Sequence, residues 1–186
     1  KEAVTLHFRD IEQDPACHDV TYENGQARER TQVLMDIANK SGGMVIGTGH
    51  MSELALGWAT YNGDHMSMYG VNASVPKTLI RDLVEHHASV SEPGLATVLR
   101  DVILTPVSPE LLPGDQHTEA VLGRYELHDF FLYYFMKFGE TPEGLAALAE
   151  QSFGDATTSA EIHDALAIFL RRFIGQQFKR NAAPDG

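Results

Sequence analysis

Gly47-Thr48-Gly49-His50-Met51-Ser52-Glu53-Leu54-Ala55-Leu56-Gly57-Trp58-Ala59-Thr60-Tyr61-Asn62-Gly63-Asp64 is the stretch on which the fold turns. The apolar Met44-Val45-Ile46 stands just before it and is expected to form a short buried strand. Two glycines flank a threonine, and a helical pattern over Met51–Trp58 follows. Strand, Gly-rich turn, helix start is the order in which α/β proteins hold nucleotides, because backbone N–H groups and a hydroxyl converge there on a phosphate. Glu53 falls in the first turns of that helix, close enough to hold a metal or a substrate hydroxyl. Trp58 and Tyr61 close the helix as two aromatics at i and i+3, able to stack on a planar ring or to serve as core. The expected fold class is α/β.

Helices dominate on either side. Val4, Leu6 and Phe8 alternate with Thr5 and His7, the pattern of a half-buried strand. Val33, Leu34, Ile37 and Ala38 share a helical face between about Ala27 and Asn39, and Gly42-Gly43 closes it. Asn62-Gly63 marks a turn, and Pro76 opens a helix with Leu79, Ile80, Leu83 and Val84 on its apolar face. A shorter helix spans about Gly94 to Ile103, and Pro106, Pro109 and Pro113 keep the next segment extended. Tyr125 to Phe138 is so aromatic that its helix must be buried on several sides, in a core or at a subunit interface. Thr141-Pro142 reads as a helix start, and Thr158 with Glu161 as a capping box before Ile162, Leu166, Phe169, Leu170 and Phe173. Only two strands are legible. No repeat or long linker divides residues 1–186, so a single domain is expected.

Composition limits the function classes. The 186 residues carry 26 acidic against 14 basic side chains, a net charge of -12, which disfavours nucleic acid and anionic membrane as partners. A nucleotide remains allowed, since local N–H groups, a few cations and Mg²⁺ hold polyphosphates in acidic proteins. No run of about 18–20 apolar residues suggests a membrane span. With Cys17 as its one cysteine and no signal-peptide pattern after Lys1-Glu2-Ala3, the chain is expected in the cytoplasm.

Two further segments carry suitable chemistry. In Tyr22-Glu23-Asn24-Gly25-Gln26-Ala27-Arg28, Asn24 is placed at a helix start with Arg28 one turn on. Asn can read a carboxamide or ribose and Arg a carboxylate or phosphate, although alone they make a helix cap and a solvated face. In Gln177-Phe178-Lys179-Arg180 the cations can neutralise helix-terminal carbonyls or reach a phosphate. The nine histidines show no zinc spacing, and no Walker motif or nucleophile elbow is present.

Taken together, Asp19–Asn24, Arg28–Lys40, Gly47–Leu79, Gly123–Phe131 and Gln177–Arg180 resemble the synthetase domain of the glutamine-dependent NAD synthetases, in the N-type ATP pyrophosphatase superfamily. The block Glu53–Lys77 makes the likeness specific to that family. The resemblance implies a partial Rossmann-like adenine-nucleotide alpha-hydrolase (ATP pyrophosphatase) fold. It implies a carbon–nitrogen ligase that adenylates deamido-NAD with ATP and Mg²⁺, then lets ammonia displace AMP to give NAD. It also implies a glutaminase domain in the same longer chain and a homo-oligomer, dimer or larger. By motif, Thr48 would contact ATP; Asn24, Arg28, Glu53, Trp58, Ala59, Thr60, Tyr61 and Lys179 would contact deamido-NAD; and Glu53 would bind Mg²⁺. No covalent nucleophile is implied.

Three departures accompany the resemblance. Ser41-Gly42-Gly43 lacks the rest of the family's S-G-G-x-D-S pyrophosphate loop, which is expected upstream of Lys1. The glutaminase domain is absent, so the chain reads as a C-terminal fragment, inactive alone. His50-Met51 stands where the glutamine-dependent branch has Asp-Leu, and a His there looks like the ammonia-dependent branch. Alternatives are a GMP synthetase-like amidating enzyme and a non-catalytic dimerisation module.

Overall fold

An alternation of only five residues satisfies two periods at once, and Val4 to Phe8 takes the helical one. In the computed structural model, which describes residues 2–14, 16–105 and 121–186, this segment lies in helix α1 (Glu2–Asp10) rather than in a strand. Val4 and Phe8 are one turn apart, Phe8 is buried and Leu6 is left exposed. The chain divides into two compact units. Among the described residues, one runs up to Ser74 and resumes at Gln177; the other lies between Val75 and Gln176.

In the first unit α1 packs on α2 (Val20–Ser41), where Phe8 stacks on Tyr22 with ring centroids 5.3 Å apart. Helix α2 starts earlier than its apolar stripe because Asp19 caps it, accepting from the N–H groups of Thr21 and Tyr22. Those bonds, Tyr22 first, hold the Asp19 carboxyl below its usual range. Asn24 therefore sits within α2, not at its start. Gly42 ends the helix as expected.

Strand β1 (Ile46–His50) contains the Gly-Thr-Gly segment itself. The expected buried strand over Met44–Ile46 is displaced toward His50, and Met44 and Ile46 are exposed. Helix α3 (Met51–Leu56) follows directly, then the parallel partner strand β2 (Tyr69–Asn72), which pairs Ile46 with Tyr69 and Gly47 with Gly70. Glycine at 47 permits this approach, since a Cβ there would run into the Ser67 side chain. Two parallel strands joined through a helix form the α/β element expected of this class. Sequence periodicity misses β2 because Tyr-Gly-Val-Asn is short and largely exposed.

The second unit is helical. It comprises α4 (Lys77–Val90), α5 (Pro93–Leu104), α6 (Tyr125–Phe138), α7 (Pro142–Phe153) and α8 (Ser159–Gly175). The Thr141 cap and the Thr158/Glu161 capping box are both formed. Bonds from Thr158, backbone first, hold the Glu161 carboxyl below its usual range. The extended segment expected after Thr105 lies outside the described residues.

The core of this unit is aromatic. Phe131 of α6 and Phe169 of α8 are fully buried with centroids 5.8 Å apart, and Phe135 meets Phe173 at 5.3 Å. Each large apolar side chain buried this way contributes roughly 1.5–3 kcal/mol. The Asp129 carboxylate accepts the N–H and hydroxyl of Thr78 at 2.9 and 2.8 Å, tying α6 to α4. The chain then returns to the first unit through the single turn α9 (Gln177–Arg180). No described helix is long and apolar enough to cross a membrane.

Candidate functional site

Helix α3 is only six residues long, and its end decides the site. Gly57 takes a left-handed conformation at φ 56°, and the N–H of Trp58 closes back on Glu53 O at 3.0 Å. Trp58 to Tyr61 is therefore irregular backbone rather than the end of a helix. Its carbonyls and hydroxyl are exposed to partners from far along the chain.

Three of the expected site residues meet there. The Thr60 hydroxyl donates to Asn24 Oδ1 at 3.1 Å, and Arg28 Nε donates to Tyr61 O at 3.3 Å. Lys179 Nζ donates to Gly57 O at 2.9 Å and Ala59 O at 2.5 Å. Next to it Arg180 donates to Ala55 O at 2.8 Å and Leu54 O at 3.4 Å, which are end carbonyls of α3. Burial lowers the Arg180 pKa from its ordinary value, yet guanidinium stays charged at any working pH. Both cations thus do what the simplest reading of their sequence allowed: they neutralise helix-terminal carbonyls, though of another helix. Tyr61 packs between the rings of Phe178 and His65, at 5.4 and 6.0 Å.

The turn is further closed by residues the motif reading passed over. Thr60 N–H donates to Asp64 Oδ1 at 2.6 Å, and His65 Nδ1 lies 2.8 Å from Thr60 O. The carbonyl can only accept, so Nδ1 carries the proton. Asp64 enters the sequence reading only as the end of the Gly47–Asp64 stretch, and His65 only as one histidine among nine. No periodicity could have found either.

Thr48 and Glu53 line a cavity of about 140 Å³ together with Ala59, Asp64, His65, Ser67 and Pro184. The phosphate-holding turn expected at Gly47–Gly49 is absent, because these residues are strand. The N-terminus of α3 is also closed to an anion. Glu53 N–H donates to His50 Nδ1 at 3.3 Å, and Glu53 Oε2 accepts His50 N–H at 3.2 Å. This capping box puts a carboxylate over the helix start. Among the described residues, no group of three or more His, Cys, Asp or Glu is arranged to hold a metal ion. A larger, mainly apolar groove between α1 and α2, about 1290 Å³, is lined by Val4, Phe8 and Val33 but by none of the expected site residues.

A family model described as NAD synthase matches residues 1–166. The chain belongs to the NAD synthase family. The glutamine-dependent NAD(+) synthetase of Mycobacterium tuberculosis is 44% identical to this chain over 193 residues, 91% of the chain and 28% of the relative. The corresponding protein of Mycobacterium leprae is 40% identical over 194 residues, with the same coverage. The chain thus spans about 28% of the length of these curated relatives. In fold it is similar to a glutamine-dependent NAD(+) synthetase from Cytophaga hutchinsonii, with a TM-score of 0.74, 21% identity and coverage of 100% of this chain and 29% of that one. An NMN synthetase from Francisella tularensis gives 0.66 at 20% identity, covering 97% and 61%. The helix-rich α/β architecture of the chain is therefore shared with these two solved structures. The two curated relatives named here are glutamine-dependent NAD(+) synthetases.

Proposed function

We propose that, in the protein that carries it, this chain forms one wall of a synthetase site that amidates deamido-NAD to NAD at the expense of ATP. The observation that supports this best is the convergence of Asn24, Arg28 and Lys179 on the turn Gly57–Tyr61. Three segments distant in sequence meet at the residues for which the family resemblance implies a dinucleotide contact.

In this reading ATP lies against Thr48, while Trp58, Ala59, Thr60 and Tyr61 receive deamido-NAD with Asn24, Arg28, Glu53 and Lys179. The nicotinate carboxylate attacks the α-phosphate of ATP and pyrophosphate leaves. Ammonia then attacks the acyl-adenylate, AMP leaves, and one proton is released. Magnesium, when bound, offsets charge on the phosphates. Glu53 can supply one carboxylate to it, which suits an ion that keeps waters and leans on substrate phosphates. His50 would hold that carboxylate from behind, with the ring nitrogen opposite the cap 3.4 Å from Glu53 Oε1. Lys179 and Arg28 fix the turn, so that its backbone is preorganised before the dinucleotide arrives.

Both compact units belong to one synthetase domain in this reading, served by a glutaminase domain and assembled as a cytoplasmic homo-oligomer. The 186 residues are expected to turn over poorly alone, because no S-G-G-x-D-S motif is among them. The test is NAD formation from deamido-NAD, ATP, Mg²⁺ and either ammonia or glutamine by the intact protein. Arg28→Ala should raise KM for deamido-NAD about tenfold with little change in KM for ATP. Amidation of XMP instead, or no amidation, overturns the proposal.

A further inference from the structure

The cavity of Thr48 and Glu53 has one wall unlike the others. Gly47–Gly49 belong to β1, which is paired with β2. Glu53 and Leu54 belong to α3, whose start is closed by a capping box and whose end carbonyls accept from Arg180. Ala59, Asp64 and His65 belong to the turn network that Thr60 and Lys179 hold. Pro184 comes instead from the segment after α9. Ala182 and Ala183 are still bonded back to that helical turn, their N–H groups donating to Lys179 O and Arg180 O. Beyond them Pro184 has no N–H to give. Among the described residues, a single hydrogen bond ties Pro184–Gly186 to the rest of the unit: Gly70 N–H donates to Asp185 O at 2.8 Å.

Fit does the rest of the holding. A Cβ at Gly186 would run into Gly70 O and the Ala73 side chain, so the segment lies on β2 as closely as glycine allows. One net hydrogen bond shifts an equilibrium by roughly tenfold, and segments with so few bonds are the first to open. The size of the cavity gives a reason for opening. Its volume of about 140 Å³ takes one moiety of a nucleotide, well below the ~300–1,000 Å³ of a pocket for a whole drug-sized ligand. ATP with Mg²⁺ lying against both Thr48 and Glu53 needs more room than the closed wall leaves. Strand β1, helix α3 and the Thr60 turn would each give up several bonds to make that room, whereas Pro184 gives up one.

We propose that Pro184–Gly186 is a strap that gates the ATP side of the site: seated on β2 it closes the cavity, and the nucleotide enters by lifting it off Gly70. The proposal rests on the nucleotide reading of the site given above. It adds a moving part to that reading and gives no strap residue a contact with ATP.

The experiment uses the intact protein with MgATP. Hydrogen exchange at the Gly70 amide, followed by mass spectrometry of the peptide spanning Tyr69–Asn72, reads the strap directly, because that N–H is released when Asp185 leaves. Saturating MgATP should speed this exchange on the order of tenfold, the effect of one lost hydrogen bond. Gly186→Val should speed it without nucleotide and raise the association rate of ATP by a similar factor, with the melting temperature unchanged. Locking the strap should do the opposite. A Cβ at Gly70 would meet only ordinary contacts and would lie 3.8 Å from Pro184 Cγ, within reach of a disulfide. In a Cys17→Ser background, Gly70→Cys with Pro184→Cys should lose ATP binding when oxidised and regain it on reduction. Slower Gly70 exchange with MgATP would mean that the strap closes on the nucleotide rather than admitting it, and overturns the proposal. So does ATP binding that survives the disulfide, or an association rate that Gly186→Val leaves unchanged, whether or not the disulfide forms. If the unsubstituted protein does not bind ATP, the synthetase reading falls and this proposal with it. ATP binding that ignores every change in the strap overturns this proposal alone.

Discussion

Thr60 spends its N–H on Asp64, its carbonyl on His65 and its hydroxyl on Asn24. A residue held at all three polar groups has little freedom left, and its neighbours Ala59 and Tyr61 inherit that rigidity. The Thr60–Asn24 bond can be isolated by a double-mutant cycle with Thr60→Val and Asn24→Ala. Urea unfolding should show a coupling of about 1 kcal/mol between them, and strict additivity would mean that the bond does not form. His128 presents a different case. Its Nε2 donates to Leu122 O at 2.7 Å, and burial, the largest cause, pushes its pKa below 6.5. The neutral ring is therefore the folded form, while the unfolded chain takes up a proton near pH 6.5. Stability from this residue is complete above that pH and is lost as pH falls toward the folded value. Thermal melts between pH 8 and 5 should show a decline that His128→Gln flattens.

At the scale of elements, sequence reading succeeds where one period or one cap dominates. The aromatic helix runs over Tyr125–Phe138 as expected, because Gly139 ends it and its 14 residues exceed the usual length of a strand. Caps at Thr141 and Thr158 are likewise local and legible. Reading fails where the pattern is short. Five alternating residues could not separate strand from helix at Val4–Phe8, and in β1 the glycines carry no pattern at all. The stretch Gly47–Asp64 stands out by its residues, but the partners of its turn do not. The contact of Lys179 with Gly57 spans 122 residues, a distance over which no periodicity speaks. The same distance makes α9 a tie for α3. Arg180→Ala should remove the donors from Leu54 O and Ala55 O and destabilise the first unit by about 1–2 kcal/mol. Hydrogen exchange at the Gly57 and Trp58 amides should speed up with it. Unchanged exchange there would mean that α3 ends independently of α9.

For the whole molecule, association is the open consequence of its surface. The aromatic helix is expected in a core or at an interface, and it has one buried and one exposed face. Phe131 is 0% exposed and belongs to the core, whereas Met136 is 59% exposed and Phe138 57%. A charge at Phe131 would unfold the unit and reveal nothing about assembly. Met136→Asp leaves the core intact and is the informative change. If this face joins copies of the protein, light scattering should show a smaller species with an unchanged melting temperature. An unaltered mass assigns assembly to another surface.

The tie between Lys179 and the turn also has a direction in time. A ribosome makes Gly57 to Tyr61 long before it makes the lysine that pins them, 122 residues on in the case of Gly57. At ~5–20 residues per second that is a delay of roughly 6 to 24 s. Throughout it the carbonyls of Gly57 and Ala59 have water where the ammonium will later sit. Helix α3 and both strands are already synthesised by then, so the turn Gly57–Tyr61 is the last part of its unit to set. A ribosome stalled before residue 179 should carry a chain whose sheet can form but whose turn still exchanges and is still open to protease.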